Sequence, residues 1–296
     1  MKCNIIGAGR LGKNIALALS TAKVISVQAI CNQSPISAAN SCQEIGSGFA
    51  VDAFAQLPAA EIIWITCGDD AIKPAVQQLV KQVALNPGCL VFHCSGVLSS
   101  AILLPLKEQG CSIASIHPLK AFRAGYLDAH AFNDVDCVVE GDAPALAWLT
   151  SAFTRLGARI IPIKPEAKAA YHAAACMASN YLITLAACSE ALLLKAGLTP
   201  QQARLMIYRL MQGNLTNLLQ VEEVSASLTG PLMRGDIETL SLHLQAIDNT
   251  SVSTLYKAAG LATLPLTQLT EAKKHLVEKT LGAKQHVSRE TIDDRY

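Results

Sequence analysis

The feature that leaves this chain least freedom is a strand obliged to turn straight into a helix. Residues 3–6 are a short apolar run, Gly7, Gly9 and Gly12 follow in G-x-G-x-x-G spacing, and residues 10–22 are amphipathic at helical period. A strand followed at once by a covering helix pairs with parallel neighbours reached by crossovers, so the turn already points to an α/β sheet. Each glycine has its own task. Gly7 permits the tight exit from the strand, Gly9 lets a pyrophosphate approach bare backbone, and Gly12 lets helix and sheet pack closely. The helix start offers N–H groups and partial positive charge to phosphate. Gly7, Gly9, Arg10, Leu11 and Gly12 are therefore candidate dinucleotide ligands.

The unit then repeats. Strands are expected at 24–32, 48–51, 61–67, 89–94, 111–116, 135–140 and 158–162, with helices at 35–45, 69–83, 97–109 and 143–156. E-I-I-W-I-T-C at 61–67 is almost continuously apolar, as a strand covered on both faces must be. This alternation predicts a doubly wound, mostly parallel sheet. Beyond Ile163 no strand pattern recurs. Residues 164–196 read as one long helix stopped by Gly197, and Thr199-Pro200-Gln201-Gln202 is a cap followed by a helix to about 221. Further helices are expected at 236–248, 251–261 and 266–281. The expected organisation is a dinucleotide-binding domain over 1–163, an all-α substrate and dimerisation domain over 164–282, and a polar tail over 283–296 that frays.

Composition closes off other classes. Net charge is +1 with no basic block, which excludes a nucleic-acid partner and an anionic membrane surface. Ten cysteines include no C-x-x-C pair, and Cys3, Cys31, Cys67, Cys89, Cys94, Cys111 and Cys137 fall in or beside expected strands. They read as reduced small hydrophobes in a cytoplasm, without a metal site or a disulfide framework. Met1-Lys2 lead directly into the first strand, so no signal or transit peptide is expected. Residues 169–189 hold 21 positions without formal charge, near the length of a membrane span. His172, Ser179, Asn180, Tyr181 and Thr184 within it favour the core of a domain or of a dimer instead.

The end of the second strand selects the cofactor. A carboxylate about 20 residues beyond the glycines would hold a ribose 2′-OH. Here Cys31-Asn32-Gln33-Ser34 stand in that place and Arg10 lies inside the glycine loop, which favours the 2′-phosphate of NADP, with NAD as the alternative. Loops after later strands face the nicotinamide side: Cys67 and Asp70 in the first, Ser95 and Gly96 in the second, His117 in the third. Ser95 and Gly96 could serve a carboxamide or a substrate carboxylate, and His117 a carbonyl oxygen or only its own strand end. In the long helix Lys168 and His172 are one turn apart, and Asn180 lies at the edge of the same stripe. Hydride transfer to a carbonyl develops alkoxide charge, which Lys168 or His172 could meet. The competing reading for Lys168 is a solvated lysine at a helix start. Thr229 and Arg234, in L-T-G-P-L-M-R-G-D, either only shape a turn or close over an anionic substrate.

Taken together, G-A-G-R-L-G, H-C-S-G, S-I-H-P-L-K-A-F, Y-H-A-A-A-C-M-A-S-N-Y-L and L-T-G-P-L-M-R-G-D resemble a bacterial group. Its members join an NADP-binding Rossmann-like domain to a helical C-terminal domain long classed as of unknown function. The chain is similar, more distantly, to pyrroline-carboxylate reductases, deazaflavin-dependent NADP reductases and 3-hydroxyacid dehydrogenases. The resemblance implies a helical domain that dimerises and completes the active site. Some members resemble alternative ketopantoate reductases, which implies a 2-oxo acid as the small anionic substrate. Lys168 matches the lysine of the related hydroxyacid dehydrogenases, while His172 stands where they carry Asn, and Lys120 stands where this group's H-P loop is expected to carry Gln.

The expectation is an NADP-dependent, homodimeric reductase of a small 2-oxo acid. A redox sensor without turnover and a deazaflavin-dependent NADP reductase are the alternatives.

Overall fold

A computed structural model describes residues 1–248 and 250–282; the expected tail at 283–296 lies outside the described residues. The chain divides into two compact units, Met1–Ser179 and one beginning at Asn180. The change from strands to helices lies where the sequence puts it, after Ile163. Compact packing divides later, because the first turns of the long helix belong with the sheet.

The first unit is built on β1 (Lys2–Ile6), α1 (Arg10–Thr21), β2 (Ser26–Cys31), α2 (Pro35–Ile45), β3 (Phe49–Val51), β4 (Ile62–Ile65), α3 (Asp69–Gln82) and β5 (Leu90–His93). It continues with α4 (Leu104–Lys107), β6 (Ser112–Pro118), β7 (Asp136–Gly141), α5 (Ala143–Arg155) and β8 (Arg159–Pro162). The sheet order is β3-β2-β1-β4-β5-β6-β7-β8. Every pairing is parallel except β6 with β7. The order reverses between β1 and β4, and in such sheets the crevice for a ligand opens at the carboxyl ends of those two strands.

Local chemistry explains most boundaries. Ser34 caps α2 by accepting from the Ser37 amide, Pro35 occupies the first turn, and Gly46 ends the helix in the left-handed region at φ +72°. Side chains from both faces of the sheet fill two cores. Trp64, Phe92, Phe132, Phe153 and half-buried Trp148 cluster on one face, with Trp64 and Phe92 ring centroids 4.8 Å apart. Aliphatic residues such as Ile63, Ile65, Leu79 and Val91 fill the other.

The helix expected at 97–109 is corrected. A 3-10 turn at Ser100–Leu103 leads into the four-residue α4. Ser95 Oγ accepts from the Val97 and Leu98 amides at 3.2 and 3.0 Å, which turns the chain before a helix can begin. Pro105, lacking an N–H, sits at the α4 start, where it is tolerated.

A 3-10 turn at Pro165–Ala167 starts α6 (Lys168–Lys195), followed by α7 (Pro200–Leu218), α8 (Pro231–Arg234), α9 (Ile237–Ala246), α10 (Thr250–Thr263) and α11 (Glu271–Leu281). The capping box on α7 is present: Thr199 accepts from the Gln202 amide and Gln202 accepts from the Thr199 amide at 3.0 Å. Asp236 caps α9 through the Thr239 amide at 3.2 Å. Leu240, Leu264, Val277 and Leu281 form the small core of the second unit. Burial around Asn180 does not occur within one chain. Met177, Tyr181 and Ile183 are 65%, 58% and 68% exposed, and Lys168 alone among the 28 residues of α6 is buried.

Candidate functional site

The turn from β1 to α1 is held by contacts that need glycine at two of its three positions. Gly7 has φ +82°, and a Cβ there would lie 2.7 Å from the Cys67 backbone. A Cβ on Gly12 would lie 2.3 Å from Thr66 Oγ1, whose hydroxyl donates to the Gly7 carbonyl at 2.8 Å. Gly9 differs: a Cβ there would meet only the Gly7 carbonyl oxygen, at 4.0 Å. Gly9 caps α1 without a side-chain partner. Its bare face borders a cavity of about 540 Å³ at the carboxyl ends of β1, β2 and β4, lined also by Gly7, Asn32, Gln33, Cys67 and Gly68. The backbone there is open where a side chain would intrude, which fits a dinucleotide.

That cavity has no charged side chain in its lining. Asn32 is engaged rather than free: its Oδ1 accepts from the Ala8 amide at 2.7 Å, and its Nδ2 donates to Ser37 and Ser41 hydroxyls at 3.0 and 3.3 Å. It braces the glycine loop against α2. On the other side of Gly9 a hollow of about 720 Å³ is lined by Arg10, Lys13, Ser34, Ser37, Asn40 and Glu44 among others. Lys13 pairs with Glu44 at 2.5 Å, while Arg10 Nη1 reaches the Phe122 carbonyl at 3.3 Å. Arg10 and Ser34 thus share one hollow. Leu11 packs against the core, and Asp70 lies exposed in the first turn of α3 outside the cavity lining.

A second cluster forms where β5, β6 and the start of α6 meet. Lys168 is 1% exposed, contrary to the reading of a solvated lysine. Its Nζ donates to the Ser95 carbonyl at 2.6 Å and to Ser115 Oγ at 2.8 Å. An ammonium has three donors, so one remains. Burial pulls the Lys168 pKa down, and the Glu140 carboxylate opposes that pull. Ser115 Oγ in turn donates to Glu140 Oε1 at 2.6 Å.

Three aromatic side chains complete the cluster. His117 Nδ1 lies 2.7 Å from the Tyr171 hydroxyl, and the His117 and His172 rings stand edge to face with centroids 5.7 Å apart. Burial and then the Lys168 charge push His117 down to about 4, and burial pushes Tyr171 up to about 12. His117 is therefore a neutral imidazole at neutral pH. Gly96 makes room for both imidazoles: a Cβ there would lie 2.3 Å from His172 Cδ2 and 3.0 Å from His117 Nε2. His93 is buried, its Nδ1 accepting from the Ser95 amide at 3.2 Å. Ser95 thus contributes its carbonyl to Lys168, while its hydroxyl is turned to its own loop. Lys120 is tied to the Ala131 carbonyl at 2.6 Å.

Asn180, Thr229 and Arg234 belong to the second unit. Asn180 is exposed on α6. Thr229 borders an apolar cavity of about 340 Å³ with Leu185, Cys188, Leu232, Val252 and Tyr256. Arg234 is exposed in the last turn of α8. Sequence reasoning passed over Ser115, Glu140, Ser100 and Tyr171. Two signals were available: Ser115 and His117 alternate onto one face of β6, and Glu140 is a lone carboxylate inside the apolar run C-V-V-E.

Glycine turn, strand order and switch point define a Rossmann-like dinucleotide-binding fold joined to a helical domain. Residues 1–118 match the Rossmann-like domain family, and residues 135–263 match the family described as Domain of unknown function (DUF2520). The two matches follow one another along the chain in that order. A candidate NADP oxidoreductase from Bacteroides fragilis is similar at TM-score 0.74 and 19% identity, over 89% of this chain and 98% of that one. A Thermotoga maritima protein aligns at TM-score 0.67 and 27% identity, over 89% and 97%. Pyrroline carboxylate reductase from Plasmodium falciparum, solved with NADP bound, aligns at TM-score 0.57 and 12% identity, over 95% and 98%. No curated protein matches the chain.

Proposed function

We propose that this protein is an NADP-dependent oxidoreductase that reduces the carbonyl of a small 2-oxo acid, ketopantoate being the first of that class to assay. The observation that carries this reading is the buried Lys168 ammonium, held by Ser95 and Ser115 with one donor left, at the sheet edge that also carries the glycine turn. The neighbours named as NADP oxidoreductase and as NADP-bound reductase support the cofactor class. When bound, NADPH supplies a hydride to the carbonyl carbon.

The chain's own groups do the rest. The backbone at Gly7, Gly9 and the α1 start would hold the pyrophosphate. Arg10 and Ser34 would receive the 2′-phosphate. Lys168 meets the charge that develops on the substrate oxygen, and a proton passes to that oxygen from Lys168 or from His172. Neutral His117, fixed by Tyr171, orients the carbonyl without adding a second positive charge.

The same reading takes the molecule to be a cytoplasmic homodimer. By length and composition, residues 165–195 could cross a membrane. The first turn of α6 is instead anchored in the sheet unit through Lys168, and the apolar side chains beyond it suit a second copy of the chain.

Titration of NADPH and NADH by nucleotide fluorescence, followed by a panel of 2-oxo acids scored by NADPH oxidation, tests the proposal. Tight NADPH binding with turnover of one acid is expected. Binding of neither nucleotide would overturn it, and binding without turnover of any acid would favour the sensor.

A further inference from the structure

Glu140 is a buried charge that no step above uses. It sits in β7, the strand that pairs antiparallel with β6, directly opposite Ser115. It is 2% exposed. Its Oε1 accepts from Ser115 Oγ at 2.6 Å and from the Ser100 amide at 2.7 Å, and its Oε2 accepts from Ser100 Oγ at 2.7 Å. The Ser115 hydroxyl has one proton, given to Glu140, so its lone pairs face Lys168 Nζ at 2.8 Å. The result is a chain of donation from ammonium through hydroxyl to carboxylate, all away from solvent.

We propose that Glu140 is a positioning residue for Lys168: a buried counter-ion that, bridged by Ser115, keeps the ammonium protonated and aimed at the Ser95 carbonyl. An unpaired ammonium buried to this degree would shed its proton, and a neutral amine could not stabilise a developing alkoxide. The other titratable groups around Lys168 do not replace Glu140. Asp69 at the start of α3 and the Cys94 thiol contribute less, while His93 on β5 and His117 on β6 are held neutral. Tyr171 and His172 lie one turn further along α6, and Tyr171 is held as the phenol.

The competing account is that Glu140 only caps the turn at Ser100–Leu103. That role needs an acceptor but not a charge, and Glu140→Gln separates the two. The consequence for catalysis rests on the oxidoreductase reading above; the charge state of Lys168 does not, so the two can fail separately.

The test follows the Lys168 15Nζ resonance by NMR through an alkaline titration of the full chain without nucleotide, assigned with Lys168→Arg. In Glu140→Gln the midpoint is expected to fall by about one pH unit or more, since an opposite charge has been withdrawn. In Ser115→Ala it should fall by less and in the same direction. A folded Glu140→Gln protein with an unchanged midpoint would overturn the proposal. If that variant does not fold, Ser115→Ala decides: a lowered midpoint supports the bridge, and an unchanged one overturns it. Once a substrate is in hand, the alkaline limb of kcat should move with the NMR midpoint, which capping alone would not cause.

Discussion

His117 Nδ1 and the Tyr171 hydroxyl, 2.7 Å apart, tie the carboxyl end of β6 to the first turn of α6. Through that contact and the two Lys168 bonds, the helix start is locked to the edge of the sheet where the cofactor turn also lies.

Lys168→Ala should lower turnover by roughly 100- to 10,000-fold while NADPH affinity stays nearly intact. It should also destabilise the fold by about 3–5 kcal/mol, because Glu140 is left buried without its partner. His172→Ala should cost turnover without that loss of stability. Single-turnover NADPH oxidation and denaturant unfolding separate the two. Wild-type rates in both variants would show that the reaction is not carried out here.

The glycine turn should separate folding from binding. Gly12→Ala forces Thr66 to move and should cost about 1–3 kcal/mol of stability. Gly9→Ala has space for its Cβ and should lower the melting temperature less than Gly12→Ala while weakening NADPH binding at least tenfold. Thermal melts beside nucleotide titrations check this; equal melting losses in both variants would contradict it.

Cofactor preference should move with charge near the ribose. Asn32→Asp can still accept the Ala8 amide but brings a carboxylate into a cavity that has no charged lining. It should shift preference from NADPH toward NADH by roughly 1–3 kcal/mol. Arg10→Ala should weaken NADPH more than NADH. An unchanged ratio in both would show that neither residue senses the 2′-phosphate.

Acid should destabilise the first unit through two histidines. Burial, followed by the Lys168 charge, holds His93 and His117 down at about 4 in the folded chain. The unfolded chain takes up these protons near pH 6.5, so stability present above that pH is lost as pH falls toward 4, by on the order of a few kcal/mol for the pair. Unfolding curves between pH 7 and 4 should show this slope, and His117→Asn should reduce it. A slope unaltered by His117→Asn would argue against a neutral His117.

The exposed apolar face of α6 should be covered by a second chain in solution. Such an interface would bury well over about 2,000 Å². Light scattering should report a dimer at micromolar concentration and a monomer for Ile183→Asp. A wild-type monomer that binds NADPH fully would end the idea.

The sheet domain was legible because its rules are local. Strand, glycine spacing and helix in sequence leave few ways to build residues 2–21, and the apolar run at 62–65 has the character of a strand covered on both faces. The cap at Thr199 was equally readable, since it joins groups three residues apart. The helix expected at 97–109 failed for a local reason as well: the Ser95 hydroxyl and Pro105 compete with helix geometry, and periodicity does not register that competition.

What the order of residues determined, then, was the fold class and the cofactor turn, both of which rest on neighbours close in the chain. What only the tertiary structure decided was the state of Lys168. A lysine at a helix start reads equally as solvated or as a cation facing the site, and nothing nearby in sequence decides between the two. Its partners stand 73 and 53 residues away at Ser95 and Ser115, and the carboxylate behind Ser115 comes from an antiparallel strand whose register with β6 pairs it with that serine. Burial and charge pairing are set by which strands become neighbours, and that depends on the whole sheet closing around them.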